Sequence, residues 1–591
     1  MAKRKALYLF IILFFSFLAY LPSIKGEFLL DEYYLILNDP RIKYPSDWKG
    51  FFLEKFWSGK YRGIYYRPLI TLSYAFCWMI SKDNPLSYHI FNLLFHLGVV
   101  VVLFFLSQRF LDRAGILATF IFAILPSHTE VVCWIPARTD LMAGFFLISA
   151  WSLWLKKEAK DFKTRLWFYL ACSLLWLLAL FSKEMAITMP ALIFLYDWWR
   201  GERGAKGIKE IFKKDWLGYL LMAGVLAFYL ILRHKALSAP GPAPAPNFME
   251  RFNWWEKPLV VFRLLSAYLM LGFFPNLFYF DWAYKNQPLS GSLIALLLVS
   301  ALLWIMAVAC LVWAWRKRVI IGLLGWLWLI SLFPVLHIFS FPTPMAERFY
   351  YLPSMFFCLG FVWLIERYLE GKLAKGAVFL LLVFYFLFSF SSAQNYQTRI
   401  RYLRRFIKIF PQDVGIRNAL GQAYMEKGWL KRAEQEFNRS ISLFPECVEA
   451  YTNLSLVKLK QGEYKTAINL LQKAIKINPS YDWAHYVLGM IYKRLSQTEQ
   501  AEKEFLYAYK AGHLDAGYQL ALLYFEQKNT SKAKSLLDQM LSKAGWHLAS
   551  IKLRLRIALW ENDREKISQL LKLAEKYRLK DPFVDELKKG F

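Results

Sequence analysis

Long apolar runs broken by short polar turns fill the chain up to about Ser392. From Arg399 onward, apolar positions instead recur every three or four residues in a charged background. The hydrocarbon layer of a bilayer is about 30 Å thick and takes roughly 20 apolar helical residues to cross. Such runs lie at 6–22, 87–107, 114–132, 138–155, 165–182, 215–233, 290–315, 319–340, 348–366 and 374–392, and the shorter 184–199 reads as one more span. The stretch 258–275 is interrupted by Arg263 and ended by Gly272 and Pro275, which suits a re-entrant or interfacial segment. The pattern predicts an all-α chain in two domains. A membrane-embedded domain with eleven spans occupies 1–395, with its first exterior loop at about 25–66, and an α-solenoid occupies 400–591. The opening Lys3-Arg4-Lys5 and Ala6 to Leu21 resemble a signal sequence, but no small-x-small site stands near Pro22-Ser23-Ile24, so this segment reads as a retained span.

The second domain is periodic. Pro411, Pro445 and Pro479 are spaced by 34 residues, and Leu420/Leu454/Leu488, Ala433/Ala467/Ala501 and Phe437/Leu471/Phe505 keep the same step. This is the tetratricopeptide period. A fourth repeat, with Leu520 and Ala533, is shortened to 32 residues, and the tail reads as further helix pairs and a cap. Such arrays present an extended concave face, which either binds a polypeptide or leaves the array as a spacer for the membrane part.

Basic residues set orientation. Lys3-Arg4-Lys5 and the loops Arg109–Arg113, Lys156–Arg165 and Arg200–Lys214 are assigned to the cytoplasm. If 258–275 does not cross, the repeats are outside the cytoplasm and Arg399, Arg401, Arg404, Arg405 and Lys408 lie on the disfavoured side. If it crosses, Arg316, Lys317, Arg318, Arg367, Lys372 and Lys375 are misplaced instead. The eleven-span scheme gathers Asp31, Arg67, His128, Glu130, Arg138, Asp140, Lys183, Glu184, Glu347 and Arg348 on one face. Ionisable residues at membrane depth mark function, so one shared site is the more economical arrangement.

Composition agrees with a membrane protein: 57% of residues are hydrophobic and 18% aromatic. The net charge of +30 is carried largely by short loops between spans, where orientation signals and anionic headgroups place it, so nucleic acid is not expected as a partner. The six cysteines show neither metal-ligand spacing nor a disulfide framework, and no metal or cofactor is expected.

The candidate chemistry lies at span ends. Asp31-Glu32, just beyond the first span, suits a general base, or else Asp31 caps a surface helix. Tyr65-Tyr66-Arg67-Pro68 puts a guanidinium among aromatic rings, which suits phosphate binding or simple lipid anchoring. His89, Asn92 and His96 share one helical face and read as polar glue between helices. In Pro126 to Asp140, the residues His128, Glu130, Arg138 and Asp140 build either a phosphate and sugar pocket or an internally paired cluster. Lys183-Glu184 and Glu347-Arg348 are opposite-charge neighbours, and adjacent helical residues do not face each other, so each member reaches a different partner.

The order of these motifs is similar to that of a known family. The acidic pair, Tyr66-Arg67-Pro68, Tyr88-His89 with His96, Pro126-Ser127-His128-Thr129-Glu130 and Arg138-Thr139-Asp140 come first. Ser182-Lys183-Glu184, Phe280-Asp281-Trp282, Ala346-Glu347-Arg348-Phe349-Tyr350-Tyr351-Leu352-Pro353 and then the repeats follow. Taken together they resemble the transmembrane and tetratricopeptide repeat-containing O-mannosyltransferases and, more distantly, protein O-mannosyltransferases and other GT-C membrane glycosyltransferases.

The resemblance implies an eleven-span core with the repeats outside the cytoplasm. It also implies inverting transfer of mannose or a similar hexose from a polyprenyl-phosphate carrier, as substrate, to Ser or Thr of a protein acceptor. Asp31 would be the base, with Glu32 beside it. Lipid phosphate and sugar would be held among Arg67, His128, Glu130, Arg138, Asp140, Lys183, Glu184, Glu347 and Arg348. The short loops and modest repeat number suggest a bacterial or archaeal plasma-membrane protein. Two alternatives stand: a non-catalytic membrane-anchored scaffold for envelope assembly, and a transferase acting on a glycan or lipid.

Overall fold

The computed structural model describes residues 2–43, 48–56, 65–157, 161–201, 204–238, 248–274, 291–337, 345–369, 371–545, 547–576, 579 and 581–590. Phe280-Asp281-Trp282 and parts of the first exterior loop lie outside the described residues. Among those described there is no strand, and the chain separates into two compact units, Met1–Tyr402 and Leu403–Phe591.

In the first unit, seven described helices have the length and composition to cross a bilayer: Lys3–Lys25, Leu86–Leu111, Phe162–Ser182, Lys206–Leu237, Leu297–Arg316, Glu347–Tyr368 and Gly371–Tyr396. The expected span at 114–132 is two helices, Ala114–Ala123 and Pro126–Cys133, bent by 47° at Pro126, and counting it gives eight. The other expected spans are shorter. Ile320–Leu332 stops ahead of Pro334, and Met189–Arg200 begins with Pro190 in its first turn. Arg138–Trp154 carries Arg138 and Asp140 in its own first turn. Charged or proline-marked helix starts, which make these segments chemically interesting, also take them below the length of a full apolar span. Glu256–Phe273, expected to be re-entrant or interfacial, is one continuous helix.

The second unit is built of helix pairs, beginning with Val414–Glu426 and Leu430–Leu443 and running to Leu548–Trp560 and Arg564–Lys576, followed by a terminal helix, Pro582–Gly590. The periodic positions are its core. Leu420, Leu454 and Leu488 are buried, and Ala433, Ala467, Ala501, Phe437, Leu471 and Phe505 are completely so. The turn inside each pair needs left-handed backbone, with φ of +76° at Gly428 and +84° at Gly462, and the same place is filled by Ser496, Lys528 and Asn562. Glycine meets this requirement without steric cost in the first two pairs.

Candidate functional site: a cluster of ion pairs around Asp31

Three helix starts, one helix end and two turns supply the site. Arg67 precedes the helix Pro68–Ser81, Glu130 lies in the short helix Thr129–Cys133, and Asp140 opens Arg138–Trp154. Lys183 ends Phe162–Ser182, Glu184 begins the next turn, and Arg348 lies in the turn Glu347–Tyr350. Short 3-10 turns at these places let neighbouring side chains diverge.

The cations and carboxylates pair across the unit. Arg67 donates through Nε and Nη2 to the two oxygens of Glu184 at 3.1 and 2.7 Å, with its guanidinium 4.4 Å from the Tyr65 ring centre. Lys183 Nζ donates to Asp140 Oδ1 at 2.5 Å and lies over Phe349. Arg348 donates to Glu130 from its backbone N–H at 3.1 Å and from Nη1 at 2.5 Å, beneath the rings of Trp134 and Phe349. The adjacent Lys183 and Glu184 thus serve different partners. The pairs also feel one another: burial, together with the like charges of Arg67 and Arg348 and against the pull of Asp140, pushes Lys183 down to about 8. A lysine held so low gives up its proton more readily than an exposed one.

Asp31 differs from every carboxylate in these pairs. It is half-buried, and its side chain has no hydrogen-bond or ion-pair partner among the described residues. Burial holds its carboxyl above the usual range, while the Arg348 charge draws it back. Glu32 faces inward. It is fully buried, its Oε2 accepts the Leu30 N–H at 2.9 Å, and burial raises it to about 7. Gly26 lets this turn approach the helix Leu86–Leu111, since a Cβ there would stand 2.5 Å from His89 Nε2.

Two expected pocket residues are elsewhere. Arg138 is completely buried and donates to Asn92 Oδ1 at 2.8 Å, the Tyr88 carbonyl at 2.8 Å and Ser73 Oγ at 3.1 Å. All its hydrogen-bond partners are neutral, and it lies between helices, so it takes no part in the ion pairs formed by Arg67, Lys183 and Arg348. Arg138 and Asp140 are two positions apart on one helix and so point to different sides. His128 is likewise withdrawn: its Nε2 pairs with Ser354 Oγ at 2.8 Å, and its ring packs against Phe122 and Tyr351. Glu347 is buried at the start of its turn. Asn92 and His96 are interhelical, Asn92 bonding Arg138 and the Trp134 carbonyl, and His96 the Tyr351 hydroxyl. A residue not expected from sequence, Tyr402, is buried within the electrostatic reach of Asp31, Glu32, Glu130 and Arg348.

Tetratricopeptide repeat models match residues 414–447, 456–496 and 515–544. Human Protein O-mannosyl-transferase TMTC3 is 21% identical over 87% of this chain and 65% of its own length, which takes in both units. At low identity, this chain is similar to the TMTC proteins. Human Protein O-mannosyl-transferase TMTC2 is 28% identical over 46% of this chain and 34% of its own. The chain therefore spans less than two thirds of the length of these relatives. Among solved structures, MamA is 25% identical, with a TM-score of 0.22, over 24% of this chain and 86% of that one.

Proposed function

We propose that this chain is a membrane glycosyltransferase that moves a sugar from a polyprenyl-phosphate carrier to a Ser or Thr hydroxyl of a protein on the exoplasmic face. The observation that carries this reading is Asp31, a half-buried carboxylate without a hydrogen-bond or ion-pair partner among the described residues, within the electrostatic reach of Arg348, one member of a set of three cation–carboxylate pairs. Asp31 removes the hydroxyl proton, the oxygen attacks the anomeric carbon with inversion, and the C–O bond to the phosphate breaks. Arg348, Lys183 and Arg67 take up the charge of the departing polyprenyl phosphate by exchanging a carboxylate oxygen for a phosphate oxygen. Glu32 holds the turn rather than the proton. No enzyme-bound sugar is required, and the repeats receive the protein acceptor.

Sidedness has its own support. The bond between Arg348 and Glu130 joins the start of Glu347–Tyr368 to the turn after Ala114–Ala123, which supports assigning the two ends to one membrane face, as in the eleven-span scheme. Incubating purified protein with a panel of polyprenyl-phosphate sugars and acceptor peptides, read by mass spectrometry, tests the reading. A glycosylated peptide supports it, whereas sugar on glycan or lipid alone, or no transfer, counts against it.

A pH profile follows. Activity rises with pH as Asp31 loses its proton. Replacing Arg348 with Gln removes the cation that opposes burial, so the acid limb of kcat/KM moves to higher pH, by about one unit. A limb unmoved by Arg348→Gln argues against Asp31 as the titrating group.

A further inference from the structure

The chain leaves its last long helix, Gly371–Ala393, through a turn at Gln394–Tyr396 and enters another helix at Arg399. This strap lies against the turn that follows the first helix. The Gln397 carbonyl accepts the Glu27 N–H at 3.0 Å, and Gln397 Nε2 donates to the Pro22 carbonyl at 3.2 Å. The Arg399 N–H donates to Glu27 Oε2 at 3.4 Å, and the Arg399 guanidinium lies 5.8 Å from the Tyr33 ring centre. Asp31 stands between Glu27 and Tyr33, so the strap grips the chain on both sides of it. Tyr396 and Tyr402 are buried with ring centres 5.4 Å apart, and the Tyr402 phenol feels the charges of Asp31 and its neighbours.

A base must stand within hydrogen-bond reach of its proton, and displacement by 1 Å costs about a hundredfold. With no side-chain partner among the described residues, Asp31 takes its position from the backbone on either side. We propose that the Gln394–Tyr402 strap is the element that positions Asp31, with Gln397 and Tyr402 as its positioning residues. The effect on turnover rests on the reading of Asp31 as base, whereas the placement of its carboxyl is measured separately.

Dicyclohexylcarbodiimide reacts with protonated carboxyl groups in apolar surroundings, so the pH at which labelling of Asp31 falls to half reports its environment without any sugar. The charged and titratable groups facing it are Glu32, Arg348 with its partner Glu130, and Tyr402. Full-length wild type, Gln397→Ala and Tyr402→Phe are labelled across the pH range and mapped by mass spectrometry. The loosened turn admits water, so the midpoint falls by about one unit in both variants. Turnover falls about ten- to a hundredfold, with KM for the lipid-linked sugar unchanged. Wild-type midpoints in folded variants overturn the proposal. An active Asp31→Asn enzyme, or a wild type that transfers no sugar, sinks the base reading, and the labelling midpoint still decides the strap.

Discussion

Asp31→Asn lowers sugar transfer by about a hundred- to ten-thousandfold, the range a general base contributes, and leaves the protein folded. The asparagine is nearly isosteric, and because the Asp31 carboxylate makes no bond among the described residues, none is lost. Burial already disfavours the charged form, so folding stability does not fall. Glu32→Gln behaves differently. The amide keeps an oxygen to accept the Leu30 N–H, and the side chain it replaces is raised by burial to about 7, so turnover changes by less than about tenfold. Transfer assays paired with thermal unfolding in detergent separate these outcomes. An Asp31→Asn protein with wild-type turnover removes the base assignment.

Arg138→Met has a large effect of another kind. It leaves Asn92 Oδ1 buried without its donor, at about 1–3 kcal/mol, and takes one partner each from Ser73 Oγ, which keeps the Ile70 carbonyl, and from the helical Tyr88 carbonyl. The expected loss is about 3–5 kcal/mol, seen as a lower unfolding temperature and aggregation during purification. Arg138→Lys gives little rescue, because a single ammonium cannot reach three acceptors arranged around a planar fork. The fraction of Arg138→Met that remains folded keeps its turnover. A variant that is as stable as wild type but inactive would return Arg138 to the site.

The contrast between these residues shows what the sequence carries. Periodicity identified the repeat core, because Leu420, Ala433 and Phe437 recur in register and packing between neighbouring helices is local. It also placed the polar residues at helix ends. Pairing was not legible, since Arg67 meets Glu184 across 117 residues and Arg348 meets Glu130 across 218. Only the divergence of Lys183 from Glu184 followed from adjacency. Arg138 and Asp140 look equivalent on paper, yet one turns between helices and the other toward Lys183. Gln397 and Tyr402 carried no signal at all, because Gln394-Asn395-Tyr396-Gln397 reads as an ordinary polar linker. Its importance comes from Pro22 and Glu27, which are near only in three dimensions.

The dressing of Arg138 by neutral oxygens also bears on how the protein is made. A lone guanidinium in hydrocarbon is unfavourable by several kcal/mol at least, and its acceptors here come from Pro68–Ser81 and Leu86–Leu111. Neither of those helices nor Arg138–Trp154 is complete without the others. An insertion order in which the earlier two helices stay beside the third as it emerges gives the guanidinium its acceptors from the start.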